Sequence, residues 1–109
     1  MRYPYVAGRL ADAAKVASDA TKTVRDRLYA AHLQLHTVLP EDFPVGPLRT
    51  AYESIHDRLT KFRPGERHEE SVIAVLRAMS DEAAARLAQD VGDLDRRLTA
   101  FLIEGEAKA

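Results

Sequence analysis

A regular spacing of apolar and small side chains runs through the first 38 residues and constrains the fold more than any other feature. The intervals alternate between four and three residues, with one repeated interval of four, which places every member on one face of a helix. Pro4 suits the first helical position. The pattern predicts one long helix over residues 4–38 with an apolar face for a neighbouring helix. Its members are Val6, Leu10, Ala13, Ala17, Ala20, Val24, Leu28, Ala31, Leu35 and Val38.

Three further helices are predicted after a segment that holds three prolines and a glycine between residues 39 and 47. That segment is incompatible with a helix and long enough to reverse the chain, and Phe43 and Val45 are expected to pin it to the core. Apolar spacing and breaking residues predict helix two over 47–62, helix three over 68–79 and helix four over 81–104. The inward side chains are Leu48, Tyr52, Ile55, Leu59 and Phe62 in helix two, Val72, Val75, Leu76 and Met79 in helix three, and Ala84, Leu87, Val91, Leu94, Leu98 and Leu102 in helix four.

Three residues bear on the limits and packing of the last two helices. Ser80 is followed by two acids, which is typical of a helix start and predicts a break there, although the apolar spacing also stays in phase if one helix continues. Gly92 inside helix four predicts close packing against a neighbour, with a kink as the alternative. Gly105 is expected to end helix four.

These four apolar faces predict an all-α fold in a single domain over residues 1–109. The expected architecture is a mostly antiparallel three- or four-helix bundle with a long first helix. A chain of this length removes about two-thirds of its unfolded surface from water, enough for a core without metal or disulfide. The sequence has no cysteine, so a disulfide framework and a thiolate zinc site are excluded.

Charge and hydropathy argue against two classes of function. The formal net charge is −1, with both signs interleaved, which is unfavourable for a protein whose main task is to bind nucleic acid. Apolar runs are only a few residues long, and the chain does not begin with a basic segment leading into an apolar one. A cytoplasmic protein with neither a membrane span nor a secretion signal is therefore expected.

One group of side chains could form a metal site. Glu53 and His56 have the Glu-x-x-His spacing with which di-iron bundles present two ligands from one turn. If helices one and two are antiparallel, His32 lies at about the same height as Glu53, near 9 Å from the connecting loop. His32, Glu53 and His56 are thus a candidate metal site, and the alternative is flanking histidines without a ligand. His36 can instead bind the last carbonyls of its own helix.

A second small-residue stripe on helix one predicts a homodimer. A helix over 4–38 would be about 50 Å long, whereas a compact domain of this size spans little more than about 30 Å. The predicted interface consists of Ala7, Ala11, Ala14, Tyr3 and Tyr5. The alternatives are that helix one breaks near Ser18 and folds back, that helix four alone covers it, and that the tyrosines cap their own bundle.

The sequence contains no nucleophile-base pair and no glycine loop that would cradle a phosphate. The predicted function is therefore a non-catalytic helical protein-interaction or assembly module, such as a small adaptor, regulator or structural subunit. No cofactor is expected, and a protein partner is possible. The alternative is a metal-binding or enzymatic helical bundle that uses His32, Glu53 and His56.

Overall fold

A computed structural model describes residues 3–60 and 68–108, with side chains for 3–60 and 72–105. The helices are α1 (Tyr3–Ala17), α2 (Val24–Leu35), α3 (Pro47–Leu59), α4 (His68–Ala78) and α5 (Asp81–Lys108), and a short 3-10 helix spans Pro40–Asp42. Within these ranges there is no strand, which confirms the all-α class. None of the helices described is both long enough and apolar enough to cross a membrane.

The predicted single helix over 4–38 is wrong, because the chain leaves the helix between α1 and α2. The Ser18 hydroxyl donates to a backbone carbonyl of the last turn of α1. The Asp19 carboxylate accepts hydrogen bonds from both the backbone N–H and the hydroxyl of Thr21, which lower the pKa of Asp19. The Thr23 hydroxyl then caps α2 by accepting from a backbone N–H three residues later. Short polar side chains thus replace helical hydrogen bonds with local ones.

The break allows α1 to fold back beside α2. Near the start of α1, the Tyr5 hydroxyl is hydrogen-bonded to the hydroxyl of Thr37, which follows α2. At the other end of the pair, Arg27 of α2 donates to the carbonyl of Ala17, the last residue of α1, at 3.4 Å. The helix of about 50 Å on which the homodimer prediction was based is therefore absent, and the fold-back alternative describes this structure.

The predicted apolar faces form one core in which α1 also contacts α5, and α5 contacts α2 and α3. Ala20 is exposed because it lies in the break between α1 and α2. Phe62 lies outside the described residues. The buried apolar residues are Val6, Leu10, Ala13, Ala17, Leu28, Ala31, Leu35, Val38, Phe43, Leu48, Tyr52, Ile55, Leu59, Val72, Leu76, Ala84, Leu87, Val91, Leu94 and Leu98.

The predicted break between the last two helices is confirmed, and Ser80 caps α5 by accepting from the Ala83 N–H at 3.0 Å. Arg25 of α2 holds this turn in place. Its guanidinium donates to the Leu76 carbonyl at 2.9 Å and forms an ion pair with Asp81 at 2.6 Å. The prediction that Gly105 ends the helix is wrong, since α5 continues to Lys108.

The connection before α3 has a buried side and an exposed side. Phe43 is 1% exposed and stacks on Tyr52 with ring centroids 4.5 Å apart, as its predicted anchoring role requires. Val45 is 84% exposed, so the prediction that it pins the loop is wrong. Gly46 has φ 119°, a conformation that side chains disfavour, and Pro47 begins α3.

Candidate functional site

The structure brings together two of the three predicted metal ligands. His32 of α2 and His56 of α3 line one small cavity, and His32 is only 6% exposed. Glu53 is exposed on α3 and does not line that cavity. At 3.6 residues per turn, Glu53 lies about 130° from the centre of the buried face of α3, whereas His56 lies about 70° from it. Across the described part of the chain, no three His, Asp or Glu side chains are arranged to hold a metal ion.

The cavity between α2 and α3, here called the histidine cavity, is small. Its volume of about 30 Å³ is room for roughly one water molecule. The buried Tyr52 hydroxyl donates to the carbonyls of Val38 at 2.7 Å and Leu35 at 3.2 Å. Burial raises the pKa of Tyr52 above its usual value, and the charge of Asp42 adds to the shift. The lining residues are His32, Leu35, His36, Tyr52, Ile55, His56, Leu59 and Thr60.

Two polar groups at the rim of the histidine cavity bind the ends of their own helices. Nδ1 of His36 is 2.7 Å from the Leu33 carbonyl oxygen in the last turn of α2, the end-capping alternative that the sequence left open. The Thr60 hydroxyl donates to the His56 carbonyl at 2.6 Å, at the end of α3. Both contacts are local to one helix end, so these groups stabilise the ends of α2 and α3.

Four of the five predicted interface residues make contacts within the chain. Tyr3 packs edge-on against Phe101 of α5, with ring centroids 6.4 Å apart, and Tyr5 is bonded to Thr37. Ala7 and Ala14 are partly buried against the core. Ala11 is exposed. These contacts match the capping alternative for the tyrosines, and the homodimer remains a prediction.

An apolar surface that the sequence reasoning missed lies between the loop before α3 and the end of α5. We call it the loop–α5 groove, and its volume is about 330 Å³. Val45 and Phe101, which is 43% exposed, are its largest exposed apolar side chains. Its lining residues are Pro44, Val45, Pro47, Leu48, Arg97, Ala100, Phe101 and Glu104. The available signal was that Ala100 and Phe101 fall outside the seam of α5 that contains Leu98.

Hydrogen bonds from Arg49 fix the loop that forms one side of this groove. The Arg49 guanidinium donates to the Phe43 carbonyl at 2.7 and 3.1 Å and to the Glu41 carbonyl at 3.2 Å. Pro44 precedes Val45, and its ring restricts the backbone at that point. The Arg49 hydrogen bonds and the Pro44 ring therefore restrict the backbone that leads to Val45.

Two charges of opposite sign flank the apolar floor of the loop–α5 groove. Arg97 and Glu104 both line it, seven residues apart on α5. Neither forms an ion pair with any side chain that the structure describes. Asp93, the acid four residues before Arg97, is instead paired with Arg96. The groove thus combines an apolar floor with a positive end and a negative end.

Comparisons of the chain with protein-family models, with curated proteins and with solved structures found no match. The geometry described above is therefore the basis for assigning a function.

Proposed function

We propose that the chain is a non-catalytic helical protein-interaction module that binds an apolar protein surface in the loop–α5 groove. The observation that carries the proposal is Val45, which is 84% exposed and lies in the same groove as Phe101. Complete burial of an exposed valine or phenylalanine side chain contributes about 1.5–3 kcal/mol. A partner that covers the groove would gain most of this contribution at Val45 and less than half of it at Phe101, which is 43% exposed.

The composition of the groove also favours protein binding. Protein interfaces commonly have an apolar centre that includes aromatic side chains, surrounded by a polar rim. Phe101, Val45 and Ala100 form such a centre, with Arg97 and Glu104 beside it.

The braced loop reduces the entropy that binding would cost. A flexible loop must be ordered when a partner binds, and that ordering opposes association. Here Arg49 ties the loop backbone at Phe43, and the Phe43 ring is buried against Tyr52. The groove therefore has its binding shape before a partner arrives.

Site-specific photo-crosslinking in the native cell tests this function. A photoreactive phenylalanine derivative at Phe101 is expected to form protein adducts, because that ring lines the groove. The same derivative at Leu33, which is 45% exposed on α2, is the matched control. Adding Val45→Asp should abolish the adducts at position 101. Absence of adducts there, or equal adducts at both positions, would refute the proposal.

A further inference from the structure

We infer that the occupant of the loop–α5 groove is a second copy of this chain, related to the first by a two-fold axis that passes near Ala100 and Phe101. The inference rests on the proposed function and identifies its partner. It also places the self-association surface on α5, whereas the sequence placed it on α1.

The arrangement of charge along α5 is self-complementary. Arg97 and Glu104 are seven residues apart, which is about two turns and about 10.5 Å along one helix face. Ala100 and Phe101 lie midway between them. If two α5 helices cross in opposite directions about that midpoint, Arg97 of each copy lies opposite Glu104 of the other. A two-fold contact requires this reciprocity, because the same patch serves both subunits.

Neither Arg97 nor Glu104 forms an ion pair within the described part of the chain. Seven residues is too far for Arg97 and Glu104 to pair with each other along one helix, where partners lie three or four residues apart. Asp93 could reach Arg97 but is paired with Arg96. Both groups are therefore available to a partner, and a second copy supplies the opposite charge at each end.

The apolar floor supplies the remaining contact in the same arrangement. The axis near Phe101 places the two phenylalanine rings between the two predicted ion pairs, and Val45 lines the same groove. The exposed apolar side chains would thus be covered symmetrically. Because one groove is a small patch, the dimer should be weak, in the micromolar range or above.

Sedimentation equilibrium of the full chain at low salt, across micromolar to millimolar concentration, tests the pairing. Wild type is expected to show a monomer–dimer equilibrium. Arg97→Glu should weaken the dimer by at least about tenfold, since position 97 of each copy would then place an acid opposite Glu104 of the other copy, at both ends of the contact. Arg97→Glu combined with Glu104→Arg should restore the wild-type constant, because the reciprocal pairs return with their signs exchanged. Arg86→Glu makes the same charge change on an exposed part of α5 outside the groove and is the matched control.

Several outcomes would overturn the inference. A monomeric mass for wild type over the whole range would exclude a second copy, as would a dimer that Arg97→Glu leaves unchanged. A double variant as weak as the single one would exclude the reciprocal pairs. Circular dichroism melting of each variant shows that the fold is intact. If position 101 crosslinks to a different protein while wild type is monomeric, the proposed function stands and only the second copy is refuted.

Discussion

Phe43 and Val45 lie two residues apart in one loop, yet Phe43 is 1% exposed and Val45 is 84% exposed. Phe43 faces the core, where it stacks on Tyr52 at the edge of the histidine cavity. Val45 faces away from the core and lines the loop–α5 groove. Hydrophobicity alone does not separate the two residues, because both are apolar. The side of the loop on which each lies decides whether it is buried in the core or exposed.

The two sides also differ in how their polar groups are used. At the histidine cavity, the Tyr52 hydroxyl, the His36 ring and the Thr60 hydroxyl each bind a backbone carbonyl of this chain. In the loop–α5 groove, Arg97 and Glu104 form no ion pair with a described side chain. We therefore interpret the histidine cavity as structural, and the loop–α5 groove is the surface for which we propose a function.

The largest expected effect comes from truncating the buried member of the loop pair. Phe43→Ala removes a ring that is packed on all sides and should lower the free energy of unfolding by about 3–5 kcal/mol. Val45→Ala, the matched control, should change it by no more than about 0.5 kcal/mol, because an exposed side chain loses little packing. Chemical denaturation measures both. Similar losses in the two variants would show that the loop does not have a buried side and an exposed side.

A smaller loss is expected from Tyr52→Phe. The ring remains, but the carbonyls of Leu35 and Val38 lose their donor, which should cost about 1–3 kcal/mol at neutral pH. Burial raises the pKa of Tyr52, so the folded chain holds the phenolic proton more tightly than the unfolded chain does. The associated stability is fully present below the unfolded pKa of about 10 and is lost as pH rises above it.

The pH dependence therefore distinguishes the hydroxyl from simple packing. Unfolding free energies measured from pH 8 to pH 11 should show the difference between wild type and Tyr52→Phe narrowing above about pH 10. The two proteins share every other side chain, so the other effects of pH cancel in this difference. A difference that stays constant through this range would mean that the hydroxyl is not held in its neutral form by the fold.

The helical class and most of the core could be predicted from the sequence, because apolar spacing reports which side of a helix is buried. Leu48, Tyr52, Ile55 and Leu59 illustrate this, since these four of the five core positions predicted for helix two are buried and the fifth, Phe62, lies outside the described residues. The predicted helix over 4–38 ran through the break after Ala17, because the alanine and valine spacing continues through it. The hydrogen bonds of Asp19 and Thr23 separate α1 from α2, and they depend on local geometry that periodicity does not report.

The candidate site was less predictable, because it depends on how elements distant in sequence meet. Spacing on α3 paired Glu53 with His56, but the rotation of the helix leaves Glu53 exposed. The loop–α5 groove joins Val45 to Phe101, which are more than 50 residues apart, and no local pattern links them. Tertiary packing alone creates that surface.

Gly92→Ala should stabilise the chain slightly. The predicted close packing at Gly92 is wrong, because a Cβ built there meets only the end of the Arg96 side chain, at 3.5 Å. An alanine inside a helix should therefore raise the unfolding free energy by about 0.5–1 kcal/mol. Gly46→Ala is the matched control and should destabilise, since its φ of 119° disfavours a side chain. Thermal melting measures both.

The same variant separates two candidate association surfaces. Gly92 lines an open groove between α1 and α5 together with Ala14, one of the interface residues predicted from the sequence. If copies associate through the loop–α5 groove, Gly92→Ala leaves the dimerisation constant unchanged. A weaker dimer in Gly92→Ala would instead favour the surface on α1.

The smallest effect is expected from metal ions, and it tests the structural role of the histidine cavity. Saturating Zn²⁺ should leave the melting temperature of wild type unchanged, because Glu53 does not line the histidine cavity and no three His, Asp or Glu side chains of the described residues are arranged to hold a metal ion. A bound ion at a hundred times its dissociation constant would add about 2.7 kcal/mol, an increase that thermal melting would detect readily. His56→Ala removes one predicted ligand and is the control. A rise in melting temperature that His56→Ala abolishes would mean that the histidine cavity binds the metal ion. The contrast between a structural side and a functional side of the loop would then be lost, since both sides would take part in binding.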